Sequence, residues 1–345
     1  MSSDGPVFRV LLFGAGALGS VFAWRLQASG RAEVTVVCRS NYEAVKQDGF
    51  RISSTMFGDH VYRPSRVART VAEAVQDGTV FDFVIVSTKA LPNIHDNSDM
   101  IAAAVGPQTA VLLIQNGIGI EDPFHVRLPR TPIVSVVAYI DTSQPANGVI
   151  EHGDNAMLFM GLHHAGGSPA ADDSSAKERL LMLSQMWNDG GVQCSVVDNI
   201  QAFRWLKLVW NASFNTVAVA SGGNDVAEVL RDPGCTRLVR RIMEEVYRVG
   251  EAATGAPLPE RGGVDGPDAL IAWTARYPGV VAPSMLMDFR AGRPLEHAVI
   301  LGQPIQVARS LGIDVPCMET VHALLVMTEK RYLQRPAPPD ASLGD

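Results

Sequence analysis

Much that would place this 345-residue chain in a specialised class is missing from it. Its four cysteines, Cys38, Cys194, Cys235 and Cys317, are far apart and form no CxxC pair. That excludes a disulfide scaffold and metal-ligand spacing, and makes a reducing cytoplasm the simplest compartment. The eight histidines are scattered, and the one adjacent pair, His163-His164, sits in a Gly/Ser/Asp-rich stretch that reads as solvated. There is no surplus of positive charge: the formal net charge is −7, which gives no general attraction to nucleic acid or to an anionic membrane. Any anionic ligand has to be met by locally placed cations. No stretch reaches the roughly 18 unbroken apolar residues of a membrane span. Arg9 followed by Val10-Leu11-Leu12-Phe13 and a small-residue run has the outline of a secretory signal, but the glycine spacing inside that run has a different origin. No internal repeat or low-complexity block is present.

What is present is an apolar helical stretch, Trp205-Leu206-Lys207-Leu208-Val209-Trp210-Asn211-Ala212-Ser213-Phe214-Asn215, broken only by polar residues at intervals of four. Four residues make slightly more than one turn and rise about 6 Å, so Lys207, Asn211 and Asn215 form one polar stripe. A lysine in such a helix is costly unless it meets a partner, a cavity or a ligand. The stripe is either one wall of an active-site cleft or a snorkelling lysine with two asparagines on a partly exposed face.

With 47% hydrophobic and 19% charged residues, the composition is that of a globular enzyme, and the length fits two domains. In the first half, short apolar runs alternate with helical patterns, the mark of a parallel α/β sheet. Strands are expected at residues 9–13, 34–37, 81–87, 110–114 and 133–139, a hairpin or sheet extension at 148–151 and 156–161, then a helix at 178–187 and a strand at 193–197. Beyond about residue 199 helical periods dominate, at 200–220, 227–254, 296–311 and 317–333, with a Gly/Pro-rich loop at 255–267. The expected architecture is α/β: an N-terminal Rossmann-type dinucleotide-binding domain, residues 1–198, followed by an all-α C-terminal domain, residues 199–345. The first six residues and the Pro-rich tail after Gln334 read as mobile.

Gly14-Ala15-Gly16-Ala17-Leu18-Gly19 is a GxGxxG that follows a buried strand and opens a helix. In that context it is a strong dinucleotide signature: a glycine for the tight turn, one for approach of the pyrophosphate, and one for helix–strand packing. The helix N-terminus adds N–H donors and a positive dipole end. Where an NAD site places an acid on the ribose, this chain has Cys38-Arg39-Ser40-Asn41. Arg39 can pair with a 2′-phosphate, which favours NADP(H). Past later strand ends come Ser87-Thr88-Lys89 and Gln115-Asn116-Gly117, where open α/β sheets bind ligands. Lys89 is a candidate for cofactor phosphate or substrate carboxylate, and Asn116 for a carboxamide or a substrate oxygen; ordinary loop roles stay open for both.

From Arg9 to about Leu333 the chain resembles the ketopantoate reductase family. The likeness rests on Gly14–Gly19, Val37-Cys38-Arg39, Thr88-Lys89, Gln115-Asn116-Gly117, the Lys207…Asn211…Asn215 helix, and Pro283-Ser284-Met285-Leu286-Met287-Asp288 running on to Gly292-Arg293 and Glu296. The resemblance implies NADPH-dependent reduction of a 2-oxo acid, 2-dehydropantoate foremost. Lys207 would be the general acid, and Glu296 would bind a substrate hydroxyl or position Lys207. Asn116, Asn211, Asn215 and Ser284 would bind substrate. Gly14, Ala15, Gly16, Ala17, Leu18, Gly19, Arg39, Lys89 and Asn116 would bind the cofactor. Ser284 also has a bland role as an N-cap, and Asp288, Arg290 and Arg293 fit a structural ion-pair network. The family commonly has Arg-x-Thr-Glu and then an Asn-Gly pair; here stand Arg293-Pro294-Leu295-Glu296 and Leu301-Gly302. That leaves room for a paralogue acting on another 2-oxo acid. A non-catalytic NADP(H)-binding regulator is the remaining alternative. The expected partner is a small-molecule substrate, with no nucleic acid and no membrane. The apolar faces of the helical half suit a homodimer or simply its own core.

Overall fold

The computed structural model describes residues 6–164, 174–260, 262, 265–276 and 282–333. The Pro-rich tail, the first five residues and most of the polar loop after His164 lie outside them. The chain divides into two compact units, residues 1–201 and 202–345.

Unit 1 is built on one mixed sheet of ten strands: β1 (Phe8–Phe13), β2 (Ala32–Val37), β3 (Phe50–Ser54), β4 (His60–Tyr62), β5 (Arg66–Ala68), β6 (Phe83–Val86), β7 (Ala110–Leu113), β8 (Ile133–Ala146), β9 (Val149–His163) and β10 (Gln193–Val196). Six of them, in the order β5-β2-β1-β6-β7-β8, are all parallel. This is the 3-2-1-4-5-6 progression of a dinucleotide-binding sheet, in which the strand order reverses beside β1. β6 and β7 are buried at every residue, as strands covered on both faces must be. Beyond β8 the sheet turns mixed: β9 runs antiparallel to β8, and β3 and β10 pair parallel with β9. The two runs expected at 148–151 and 156–161 are thus one continuous strand, and β8 extends to meet it through two register shifts. On the sheet's face the helix Ala17–Gln27 packs against the helix Ser174–Asp189. There the fully buried Trp187 donates its indole N–H to Phe22 O at 3.0 Å.

Unit 2 is helical. Its longest helix, Pro233–Thr254, starts on an Asp232 side chain that accepts the Cys235 N–H and ends at Gly255 in the left-handed region. Its inner face, Val239, Ile242, Met243, Val246 and Val249, repeats at helical spacing and is buried throughout. A Cβ at Gly250 would stand 2.9 Å from Trp205 Cβ, so this glycine lets the two helices close. The buried Glu245 of the same helix accepts the N–H groups of Cys317 and Met318, both at 2.9 Å, and so caps the helix Pro316–Leu333. The single helix expected over 227–254 is two. Pro233 fixes an extended Asp232 before it, and Val226–Arg231 forms its own helix behind a capping box of Asp225 and Glu228. The region expected as loop 255–267 gives way to a helix at Gly266–Ala275. Among the described residues no helix is long and apolar enough to cross a membrane, and no group of three or more His, Cys, Asp and Glu is placed to hold a metal.

The reversal beside β1 puts Gly14 against the end of β6. Its φ is +107°, and a Cβ there would overlap the Thr88 amide nitrogen and stand 2.7 Å from Ser87 C. A Cβ at Gly19 would overlap the Gly14 carbonyl oxygen and the Ser87 hydroxyl, whereas one at Gly16 would meet nothing within 4 Å. Gly14→Ala should therefore lose about 2–4 kcal/mol from strain and overpacking, and Gly19→Ala about 1–3 kcal/mol. Gly16→Ala should stay within about 1 kcal/mol of wild type. Urea unfolding midpoints of the three variants decide this; equal losses at all three would contradict the packing.

Candidate active site

In unit 1 the cofactor candidates surround the end of β1. The helix Ala17–Gln27 opens at Gly16 with no side-chain cap and no acid in its first turn, so its leading N–H groups are left for an acceptor. Gly16 is exposed, Ala17 and Leu18 are half-buried, and Ala15 is buried. The loop is held from behind. Asn41, 5% exposed, donates to Ala15 O at 2.7 Å and accepts from Gln144 Nε2 at 2.6 Å and from Gly148 N at 3.2 Å. Ser87 Oγ donates to Gly14 O at 2.7 Å, and Gln115 Nε2 to Thr88 O at 2.7 Å. The ends of β1, β2, β6 and β7 are thereby tied into one frame. Along the sequence Asn41, Ser87 and Gln115 stand only as neighbours of other candidates; their task is to fix the backbone around the glycines.

Arg39, at the end of β2, is exposed, and among the described residues its guanidinium makes no ion pair or hydrogen bond. The adjacent Cys38 is buried, and burial pushes its thiol up to about 12, so it is no thiolate nucleophile. Lys89 is half-buried and its carbonyl accepts from Asn97 Nδ2 at 3.2 Å. Asn116 is half-buried, and its carboxamide has no hydrogen-bond partner among the described residues. It precedes Gly117 at φ +92°.

In unit 2 the stripe lies on a helix that is not α throughout. Ile200–Trp210 is α, Asn211–Asn215 is a π turn, and Thr216–Ala220 is α again. An α-helix advances about 100° per residue, so two four-residue steps would carry Asn215 about 80° round the axis from Lys207. A π turn, closed by i→i+5 bonds, takes in about one more residue and cancels most of that drift. Hydroxyls in and just after this turn bond back to carbonyls four residues earlier: Ser213 Oγ donates to Val209 O at 2.7 Å, and Thr216 Oγ1 to Ala212 O at 2.5 Å. Lys207 is half-buried, Asn211 is 8% exposed and Asn215 only 1%.

Asn215 Oδ1 accepts the Met285 N–H at 3.3 Å, which attaches the stripe to the start of the helix Ser284–Arg290. Pro283 is the N-cap of that helix, and Ser284, exposed at its first position, makes no capping bond. The bland role for Ser284 is removed. Asp288 does pair with Arg293, at 2.9 Å, and Arg290 donates to Gly223 O at 3.0 Å, a structural network. Glu296, 8% exposed, precedes a second π turn, Ala298–Gly302. The two π turns pack on each other, and the Ser284 helix packs on the first. Unit 2 thus gathers Asn211, Asn215, Ser284 and the segment that follows Glu296. Asn211, 8% exposed, makes no side-chain hydrogen bond among the described residues.

Two family models match the chain: ketopantoate reductase PanE/ApbA over residues 10–164, and its C-terminal counterpart over residues 199–329. The crystal structure of 2-dehydropantoate 2-reductase from Methylococcus capsulatus is 35% identical, covers 95% of this chain and 98% of its own, and superposes with a TM-score of 0.81. The Meiotically up-regulated gene 72 protein of Schizosaccharomyces pombe is 29% identical over 96% of this chain, which spans 58% of that relative's length. D-mandelate dehydrogenase, in a ternary structure with NADH and anilino(oxo)acetate, shares the fold at 20% identity and a TM-score of 0.78, covering 94% of this chain and 99% of its own. An α/β domain with a mixed sheet, a helical second half and these matches over most of its length make the chain a member of the ketopantoate reductase family of oxidoreductases.

Proposed function

We propose that the protein reduces a 2-oxo acid to a 2-hydroxy acid with NADPH, and that 2-dehydropantoate is its substrate. The observation that carries this reading is the Asn211 side chain, 8% exposed and engaged by no hydrogen bond among the described residues, set one turn beyond Lys207 in a chain of this family. Residues 1–198 hold the nucleotide and residues 199–345 the substrate. The cofactor candidates fit a dinucleotide: no described residue lies within 4 Å of a Cβ at Gly16, the helix start has no side-chain cap, and Arg39 is available to a 2′-phosphate. Gly14 and Gly19 shape that loop, Ala15, Ala17 and Leu18 present its N–H groups, and Lys89 and Asn116 complete the binding set. NADPH, when bound, supplies the hydride.

The chain's own residues do the rest. Lys207 donates a proton to the ketone oxygen, and its ammonium stabilises the alkoxide charge as it develops. Asn211 and Asn215 orient substrate polar groups; Asn215 keeps its amide N–H groups for this, because Oδ1 already accepts from Met285. Ser284 binds the carboxylate, and Glu296 binds a substrate hydroxyl or positions Lys207. A second reading, the same chemistry on another 2-oxo acid, is favoured by Leu295 and Leu301. They stand where relatives commonly carry a threonine and an asparagine, and both are fully buried and apolar.

Lys207→Ala should lower kcat by about 10²–10⁴-fold while NADPH binding is kept. Near-normal turnover would remove the general acid. Arg39→Ala should weaken NADPH about 10–100-fold and NADH less than about 2-fold, read as dissociation constants by fluorescence; an equal loss for both would undo the NADP assignment. Among a panel of 2-oxo acids, 2-dehydropantoate should rank first by kcat/KM. Another acid ahead by tenfold would establish the second reading, and NADPH binding without oxidation would point to a regulator.

A further inference from the structure

We propose that Glu329 is a positioning residue for Glu296, acting by clasping the residues on either side of it. The proposal rests on the reading of Glu296 as part of the substrate machinery. Glu329 lies on the helix Pro316–Leu333 and is 6% exposed. One of its oxygens, Oε1, accepts the Leu295 N–H at 2.7 Å. The other, Oε2, lies 3.0 Å from Nε2 of His297, itself 6% exposed. Glu296 is the residue between Leu295 and His297. One buried carboxylate therefore holds both neighbours of Glu296, Leu295 through its backbone N–H and His297 through its ring, and the Glu296 carboxylate takes no part in the clasp.

The residue type follows from this geometry. Leu295 N–H and His297 Nε2–H are two donors, and only a carboxylate offers two acceptor oxygens and no competing donor. The rest of the network agrees with that direction. Nδ1 of His297 faces Nε2 of His322 at 3.2 Å. Burial first, then His297 and Arg309, hold the His322 imidazole below its ordinary range. A neutral His322 can donate through Nε2–H to Nδ1 of His297, which leaves the His297 proton on Nε2, aimed at Glu329. A carboxylate at this depth is costly to bury unless its hydrogen bonds are made, and both oxygens make theirs to the flanks of one residue. Leu295 supplies no side-chain hydroxyl in this turn; the hold on it comes from the distant helix through the backbone.

The test is a double-mutant cycle on kcat for NADPH oxidation with 2-dehydropantoate, or with the panel acid the wild type prefers. His297→Leu should lower kcat about 10-fold or more, with the NADPH dissociation constant within about 2-fold of wild type. His297→Gln, whose amide N–H can replace Nε2–H toward Glu329, should recover to within about 3-fold. In a Glu296→Gln background, His297→Leu should cost less than about 2-fold more, because its effect runs through Glu296. A full, multiplicative loss in that background, or His297→Leu at wild-type kcat, overturns the clasp while leaving Glu296 its role. Glu296→Gln at wild-type kcat, or a wild type that oxidises NADPH with no acid of the panel, overturns the clasp together with the reading it rests on. If His297→Leu does not fold, Glu329→Gln, which leaves one acceptor oxygen for two donors, carries the same comparison.

Discussion

The structure of the first unit depends on how closely two strand ends approach. The sheet reverses its order beside β1, so the chain leaving β1 must turn into a helix while lying against the backbone that leaves β6. Gly14 and Gly19 stand where any Cβ would overlap that backbone or the Ser87 hydroxyl. The shape of the glycine loop follows from this contact. It sets the angle at which the helix Ala17–Gln27 departs, leaves the N–H groups of its first turn uncapped, and brings Ser87, Thr88 and Gln115 round the loop. Gly16 is different in kind. Its φ of −82° is open to any residue, and among the described residues nothing lies within 4 Å of the place a Cβ would take.

The second unit solves a different problem, that of keeping polar groups on a helix otherwise immersed in core. Phe214, Val217 and Ala218 are almost fully buried, and Asn211 and Asn215 are buried among them. On a regular α-helix Lys207, Asn211 and Asn215 would drift about 80° round the axis. The π turn straightens them into a line, and the hydroxyls of Ser213 and Thr216 bond to carbonyls of the preceding turn. A second π turn follows Glu296 and packs on the first, so both irregular segments of the unit fall among its candidate polar residues. Irregular turns of this type are found most often at functional positions, where a side chain must be aimed differently from helical default.

Elements long enough to show a period, or punctuated by the right residues, were legible. β1, β2, β6 and β7 show as apolar runs, and the glycine loop shows by its spacing. β3, β4 and β5 were not: β4 and β5 are three residues each, and the edge strands carry charged and polar residues that obscure alternation. Nor was the break at Pro233 seen, because a proline at the first position of a helix costs nothing there and the apolar period continues on both sides of it. In the site, residue types and order were readable, whereas hydrogen-bond partners were not. Asn41 looks like one polar loop residue among several, and only the folded chain shows its three bonds to segments far apart in sequence.

The class of fold, the place of the glycine loop, the absence of an acid after β2 and the composition of the polar stripe can be read along the chain, because they depend on spacing and residue chemistry within one segment. Tertiary structure alone decided the mixed extension of the sheet, the attachment of Asn215 to the helix that begins at Ser284, and the hold of Glu329 on both neighbours of Glu296. Each of these joins residues tens of positions apart, and such contacts leave no period in the chain; they exist only once the core has closed and buried polar groups have had to find partners.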